Sequence, residues 1–204
     1  MRKHHKLLLL LLFCTCINAC KKEDILPPFN ETFTEPYTTG SIRFQFYKIN
    51  PDRPSEPTKR QQVDFTATYE NPDEWMCGYY RPDMNWTAMI RRNPANQEQW
   101  AGILFYNLKL DSIPLPFTFD RNSTFNAQLD YTFGSRQYTD ASGNIVSTAD
   151  GYSATSNYDD FTLTLLSKSN QRLQGTFTGI LKNIYDGGKV KIEKGIFDVA
   201  YVVR

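Results

Sequence analysis

From Gly40 almost to the C-terminus, apolar and polar residues alternate with a period of two. Ile42, Phe44 and Phe46 share one side of their segment, with Arg43 and Gln45 on the other. Val63, Phe65, Ala67 and Tyr69 repeat the pattern, and so do Trp86, Ala88 and Ile90, which predicts Trp86 in the core. Ile103 and Phe105 follow, on a segment whose opposite side carries Leu104 and Tyr106. The longest run is Phe125, Ala127, Leu129, Tyr131 and Phe133, interleaved with Asn126, Gln128, Asp130 and Thr132. Four more runs complete the series: Phe161, Leu163 and Leu165; Leu173, Phe177 and Leu181; Val190 and Ile192; and Phe197, Val199, Tyr201 and Val203. Such alternation marks half-buried strands. No window of about eleven residues keeps a helical apolar stripe. Pro51, Pro54, Pro57, Pro114 and Pro116 punctuate the connections. The pattern predicts roughly nine or ten short strands in one all-β domain over residues 40–204, an antiparallel sandwich or barrel. A domain of this size buries roughly 70% of its unfolded surface and needs no disulfide. Tyr138 to Asp160, rich in Ser, Thr, Gly and Asp, reads as one long exposed loop.

The first 39 residues follow another logic. Met1-Arg2-Lys3-His4-His5-Lys6 is a basic start, and Leu7 to Phe13 is an apolar stretch that Cys14 to Ile17 extend weakly. It is shorter than the roughly 20 apolar residues that cross a hydrocarbon core, and it suits a cleaved secretory signal over 1–19. Ile17-Asn18-Ala19-Cys20 resembles the lipobox of bacterial lipoproteins, with Asn18 a mild departure. The resemblance implies lipidation at Cys20 and attachment to a membrane. Several acyl chains, at roughly 0.8 kcal/mol per buried methylene, make a stable anchor where one is marginal. Lys22-Glu23-Asp24 is similar to the surface-export signal of Bacteroidetes lipoproteins, which implies the outer face of the outer membrane. A plain solvated charge run is the alternative. Residues 20–39, with Pro27, Pro28 and Pro36 and no core periodicity, read as a flexible tether of roughly 25 Å mean span.

Near the C-terminus, Gly175-Thr176-Phe177-Thr178-Gly179 precedes a turn at Asp186-Gly187-Gly188, and Gly195-Ile196-Phe197 follows it. This stretch resembles the closing hairpins of small Bacteroidetes lipoproteins of unknown function. The resemblance implies an antiparallel β domain on a lipid anchor and brings no functional residues with it. Independently of it, Asp-Gly-Gly suits the positive φ of a hairpin turn. Glycines inside strand patterns mark bulges or close backbone approach.

Charge and composition then narrow the chemistry. The whole chain carries 23 basic and 22 acidic residues, and loss of Arg2, Lys3 and Lys6 with the leader leaves 20 against 22. A near-neutral domain gives no electrostatic footprint for nucleic acid. Both histidines, His4 and His5, and two of the four cysteines, Cys14 and Cys16, lie in the leader. A mature chain without histidine excludes Ser-His-Asp and Cys-His catalysis and His-ligated zinc. With Cys20 acylated, Cys77 has no partner for an internal disulfide; it reads as a buried inert thiol rather than a nucleophile. No cofactor motif is present.

The densest aromatic region holds Trp75, Tyr79, Tyr80, Trp86 and Trp100. Trp75, Tyr79, Tyr80 and Trp100 are the candidate ligand-binding residues, because rings at loop edges stack on sugars or anchor a protein partner. Packing is the competing use. Arg91-Arg92 suits an anion clamp or, more simply, an exposed strand end. Asp140, Ser142 and Asn144 have the first spacings of a calcium loop, but Ile145 stands where glycine is needed. Ser112, in Asp111-Ser112-Ile113, resembles a Bacteroidetes O-glycosylation acceptor. The expected function is a non-catalytic surface lipoprotein that binds a glycan or an outer-membrane protein. A structural or adhesive subunit of a surface assembly is one alternative. A carboxylate-pair glycoside hydrolase, which needs two acids at a defined separation, is the other.

Overall fold

The computed structural model describes residues 40–67, 78–93 and 96–203. The leader, Cys20, the tether, Tyr69, Trp75 and Cys77 lie outside the described residues. Eleven strands are present among them, one more than the upper expectation: β1 Gly40–Lys48, β2 Gln61–Ala67, β3 Gly78–Arg81, β4 Trp86–Asn93, β5 Asn96–Tyr106, β6 Phe117–Phe119, β7 Asn126–Thr139, β8 Ile145–Thr155, β9 Phe161–Ser169, β10 Arg172–Asn183 and β11 Lys189–Val203. The fold is all-β, as the alternation predicts.

The strands form two sheets. One runs β2-β1-β11-β10-β9-β6 and the other β3-β4-β5-β7-β8. Two short corners join them. Tyr201–Val203 of β11 pair in parallel with Gly78–Tyr80 of β3, and Lys182 and Asn183 of β10 pair with Ser153 and Tyr152 of β8. The hydrogen-bonded ladder therefore closes on itself, so the sandwich is also an incomplete barrel. Apart from β11–β3, every strand pairing among the described residues is antiparallel.

The core lies between the sheets, where the alternating apolar sides meet. Phe44 of the first sheet sits edge-on to Tyr131 of the second at 4.9 Å, and Phe46 meets Phe133 at 5.1 Å. Ile42, Ile103, Leu129, Leu163, Leu181 and Val199 are fully buried beside them. Burying a large apolar side chain stabilises by about 1.5–3 kcal/mol, so this layer supplies the main driving force.

The conspicuous glycine-phenylalanine spacing has its explanation here. Gly175 pairs with Phe197 across β10 and β11, and Phe177 pairs with Gly195. Each ring lies over the glycine of the opposite strand. A Cβ on Gly195 would stand 2.3 Å from Phe177 Cε2, and one on Gly175 would stand 2.4 Å from Phe197 Cζ. The two rings stack with centroids 6.5 Å apart. Gly179, at φ +146°, stands at the bulge that follows. The Asp186–Gly188 turn closes the hairpin, with Asp186 Oδ1 accepting the Gly188 N–H at 2.8 Å.

Three expectations are corrected. Trp86, Ala88 and Ile90 do not face the core; Thr87, Met89 and Arg91 do, all three fully buried. The phase of β4 is set by pairing with β5, whose Ala101, Ile103 and Phe105 point inward. Arg91 is consequently no exposed strand end. Finally, the stretch from Tyr138 to Asp160 is no loop: β7 and β8 pair through Ser135–Thr139 and Ile145–Ala149. Both faces of that outer hairpin are open to solvent, so its sequence has no apolar side to alternate. Its tip is self-contained. Asp140 Oδ1 accepts the N–H groups of Ser142 and Asn144 at 2.9 Å each, and these bonds hold the Asp140 pKa below its ordinary value.

Candidate functional site

The outward turn of Trp86 gathers most of the described aromatics of its region on one surface, the outer face of β3-β4-β5-β7-β8. Tyr79 pairs with Ala88, Ala88 with Leu104, and Leu104 with Gln128, so one row crosses four strands. The next row runs Ile90, Gly102, Asp130 and Ser153. Trp100 stands one step further along β5. Trp86 and Tyr79 have ring centroids 5.2 Å apart and, with Leu104, cover the fully buried Ala88. Tyr79 is itself buried beneath this cluster, which leaves Trp86 and Leu104 as its partly open surface.

Trp100 is half-buried and lies flat on the sheet because its neighbour has no side chain. Its Cζ3 is 3.1 Å from the place a Cβ on Gly102 would take, with Ile90 Cγ1 at 3.6 Å. Beside this apolar strip runs a polar one. Tyr106 donates its hydroxyl to Gln128 Oε1 at 3.3 Å, and Gln128 Nε2 donates to both carboxylate oxygens of Asp130 at 2.9 Å. The site is thus a shallow platform of ring faces edged by a hydroxyl, a carboxamide and a carboxylate.

Burial raises the Asp130 pKa above its ordinary value, although hydrogen bonds from Ser153 and Gln128 act in the opposite sense. Tyr106 is also raised, first by burial and then by the Asp130 charge. A carboxylate with incomplete solvation favours any ligand that brings hydroxyl donors to it. The same shift has a consequence for stability. The unfolded chain releases the Asp130 proton near the ordinary value of 3.8, while the folded chain holds it to higher pH. Between those two pKa values the folded state binds more protons, so stability falls as pH rises through that window. Asp130→Asn is therefore expected to raise the melting temperature at pH 7 relative to the parent, with the difference vanishing below pH ~4. Melting curves across that range test it; an equal difference at every pH would contradict the linkage.

Of the four candidate ligand-binding residues, Tyr79 and Trp100 share this platform. Tyr80 does not: it points into the core, edge-on to Tyr201 at 6.3 Å. Trp75 is outside the described residues. Ser112 is exposed in the 3-10 turn Leu110–Ser112, its hydroxyl donating to Lys109 O at 2.8 Å. Its neighbour Asp111 is tied to Lys168 Nζ at 2.8 Å. Among the described residues, no group of three or more His, Cys, Asp or Glu side chains is placed to hold a metal ion.

Sequence reading missed Leu104, Tyr106, Gln128, Asp130 and Ser153. The signal was available in β5, whose apolar residues fall on both sides: a strand with two apolar faces needs a covering on each. Comparison of the chain with protein-family models, curated proteins and solved structures finds no match.

Proposed function

We propose that this chain is a lipid-anchored, non-catalytic binding module of the bacterial outer membrane, and that the platform on β3-β4-β5-β7-β8 takes up a glycan. The observation that carries the reading is the juxtaposition of Trp100 and Trp86 with the Tyr106-Gln128-Asp130 chain on one sheet face. Sugar rings present C–H faces and hydroxyl edges together. The Trp faces match the first, and the carboxamide and carboxylate match the second. The lipobox-like Ile17-Asn18-Ala19-Cys20 and the Lys22-Glu23-Asp24 run support a surface anchor. The twenty residues from Cys20 to Thr39 would hold the platform clear of lipid headgroups.

The test is binding of the full chain, in membranes, to a panel of neutral polysaccharides: xylan, mannan, amylopectin and laminarin. At least one is expected to bind. Trp100→Ala should weaken that binding by about 1–3 kcal/mol, the range of an interface hot spot, while the melting temperature changes little. In Cys20→Ala cells the binding activity should leave the membrane fraction, or the precursor should stay uncleaved. Failure of every polysaccharide to bind, or unchanged affinity in Trp100→Ala, would overturn the glycan reading. Unchanged membrane retention of a normally processed Cys20→Ala chain would overturn the anchor.

A further inference from the structure

The apolar strip on the outer face of the second sheet does not end at Trp100. Trp100 pairs with Thr132 of β7, and Thr132 with Gly151 of β8, so these three form one row on the side that carries Leu104 and Asp130. Gly151 has no side chain of its own, and the turn between β10 and β11 fills the place. Ile184 Cδ1 lies 3.9 Å from where a Cβ on Gly151 would stand, with Thr132 Oγ1 at 3.6 Å. The face therefore repeats one arrangement: Trp100 covers Gly102 from alongside, and Ile184 covers Gly151. The row begins on an indole and ends on an aliphatic side chain.

Ile184 is 63% exposed. One exposed aliphatic residue is ordinary in itself, but this one is presented by a turn that is fastened to the sheet. Its N–H donates to Gly151 O at 3.3 Å, which carries the pairing of β8 and β10 one residue further. The buried Asn183 holds the rest of the turn. Its Nδ2 donates to Asp150 Oδ1 at 2.8 Å, and its Oδ1 accepts the N–H groups of Tyr185 at 2.8 Å and Asp186 at 3.2 Å. The turn is ordered before any ligand arrives, so covering Ile184 requires little further ordering of the backbone. Polar groups flank the row on both sides. Asp130 and Ser153 form the next row in one direction. In the other stands the exposed Glu98, which accepts the Ser135 hydroxyl at 3.2 Å.

We infer that the ligand of this face is the interior of a linear polysaccharide chain, lying across β5, β7 and β8 from Trp100 to Ile184, and not a single terminal sugar. The inference rests on the glycan reading of the platform and adds the length and direction of the bound chain. Neighbouring strands stand about 4.8 Å apart, so the Ile184 segment, beyond β8, lies about 14 Å from β5. One pyranose ring on Trp100 cannot reach that far. A run of several rings can, and each brings a C–H face to the apolar strip. A compact ligand at Trp100 would leave Ile184 in water, whereas a chain buries both ends of the row. The hydroxyls along its two long sides then meet Asp130 and Ser153 on one and Glu98 on the other.

Competition by xylo-, manno-, malto- and laminari-oligosaccharides against the polysaccharide bound by the full chain in membranes tests the inference. In the series that matches the bound polysaccharide, the tetrasaccharide should compete about tenfold more strongly than the disaccharide, as burial of one further aliphatic side chain implies. Ile184→Ser should remove most of that advantage and leave the disaccharide as in the parent. Its melting temperature should stay unchanged, because the side chain is exposed. Trp100→Ala should weaken both lengths. Equal competition by disaccharide and tetrasaccharide, or an Ile184→Ser chain that keeps the advantage or weakens both lengths alike, would overturn the linear course. With Trp100→Ala still weakening the polysaccharide, the platform reading would survive that result. If no polysaccharide binds, or Trp100→Ala changes nothing at any length, the platform reading fails and the linear course fails with it.

Discussion

Alanine at Gly195 is expected to destabilise the domain by about 1–3 kcal/mol, although it adds only one methyl group. The added Cβ would stand 2.3, 2.4 and 2.6 Å from three carbons of the Phe177 ring. Phe177 cannot swing aside, because it is itself buried and packs on Phe44 at 5.9 Å and on Phe197. Phe177→Ala alone should cost more, about 3–5 kcal/mol, through lost burial and the cavity left behind. The diagnostic result is the double variant. Without the ring, the methyl at position 195 has room, so the two costs should fall short of their sum by about 0.5–3 kcal/mol. Urea denaturation of the four proteins measures this, with the slope checked for constancy. Strict additivity would mean that glycine is needed there for some reason other than the ring. Gly175 and Phe197 form the reciprocal pair and should behave alike.

That geometry also says what the most recognisable stretch of the sequence is for. Gly-Thr-Phe on β10 and Gly-Ile-Phe on β11 run antiparallel, and each phenylalanine fills the space its partner glycine leaves. The spacing is a packing device at the core side of the closing hairpin. It needs no ligand to account for it.

Strand existence was legible because most strands have one wet and one dry face, and a period of two survives any error in boundaries. What alternation within a single strand does not encode is which of its two faces looks inward. β4 illustrates the difficulty: Trp86, Ala88 and Ile90 are the more apolar set, yet Thr87, Met89 and Arg91 face the core. The neighbour decides, since Phe105 and Ile103 on β5 are pinned inward and the pleat then dictates the phase of β4. The same ambiguity hid most of the platform. Tyr79 and Trp100 were legible as ring candidates, whereas Gln128 and Asp130 looked like ordinary solvent-facing residues of a half-buried strand. Only the pairing of β5 with β7 brings them beside Trp100 and Leu104. The outer β7–β8 hairpin was illegible for the opposite reason, having no dry face at all.

Arg91→Ala is expected to cost about 3–5 kcal/mol, a value typical of removing a buried, hydrogen-bonded charge. At an exposed strand end, the setting first suggested by Arg91-Arg92, the same change would cost no more than about 0.5 kcal/mol. The difference comes from where the guanidinium ends. Arg91 is fully buried, donating from Nη1 to Ile90 O at 2.8 Å and from Nε to Gly40 O at 3.4 Å. Gly40 is the first residue of β1, so one side chain fastens β4 of the second sheet to the start of the first. Alanine would remove these donors and the packed stem together. Arg91→Met separates the two contributions: it keeps most of the stem and supplies no donor. Methionine should therefore recover part of the loss, leaving a deficit of about 1.5–3 kcal/mol for bonds made by a charged group. Arg91→Lys should fall short of the parent as well, because a single ammonium cannot reproduce the forked geometry. Chemical denaturation of the three variants gives the order. A loss under about 0.5 kcal/mol in Arg91→Ala would show that the junction between β4 and β1 does not depend on this side chain.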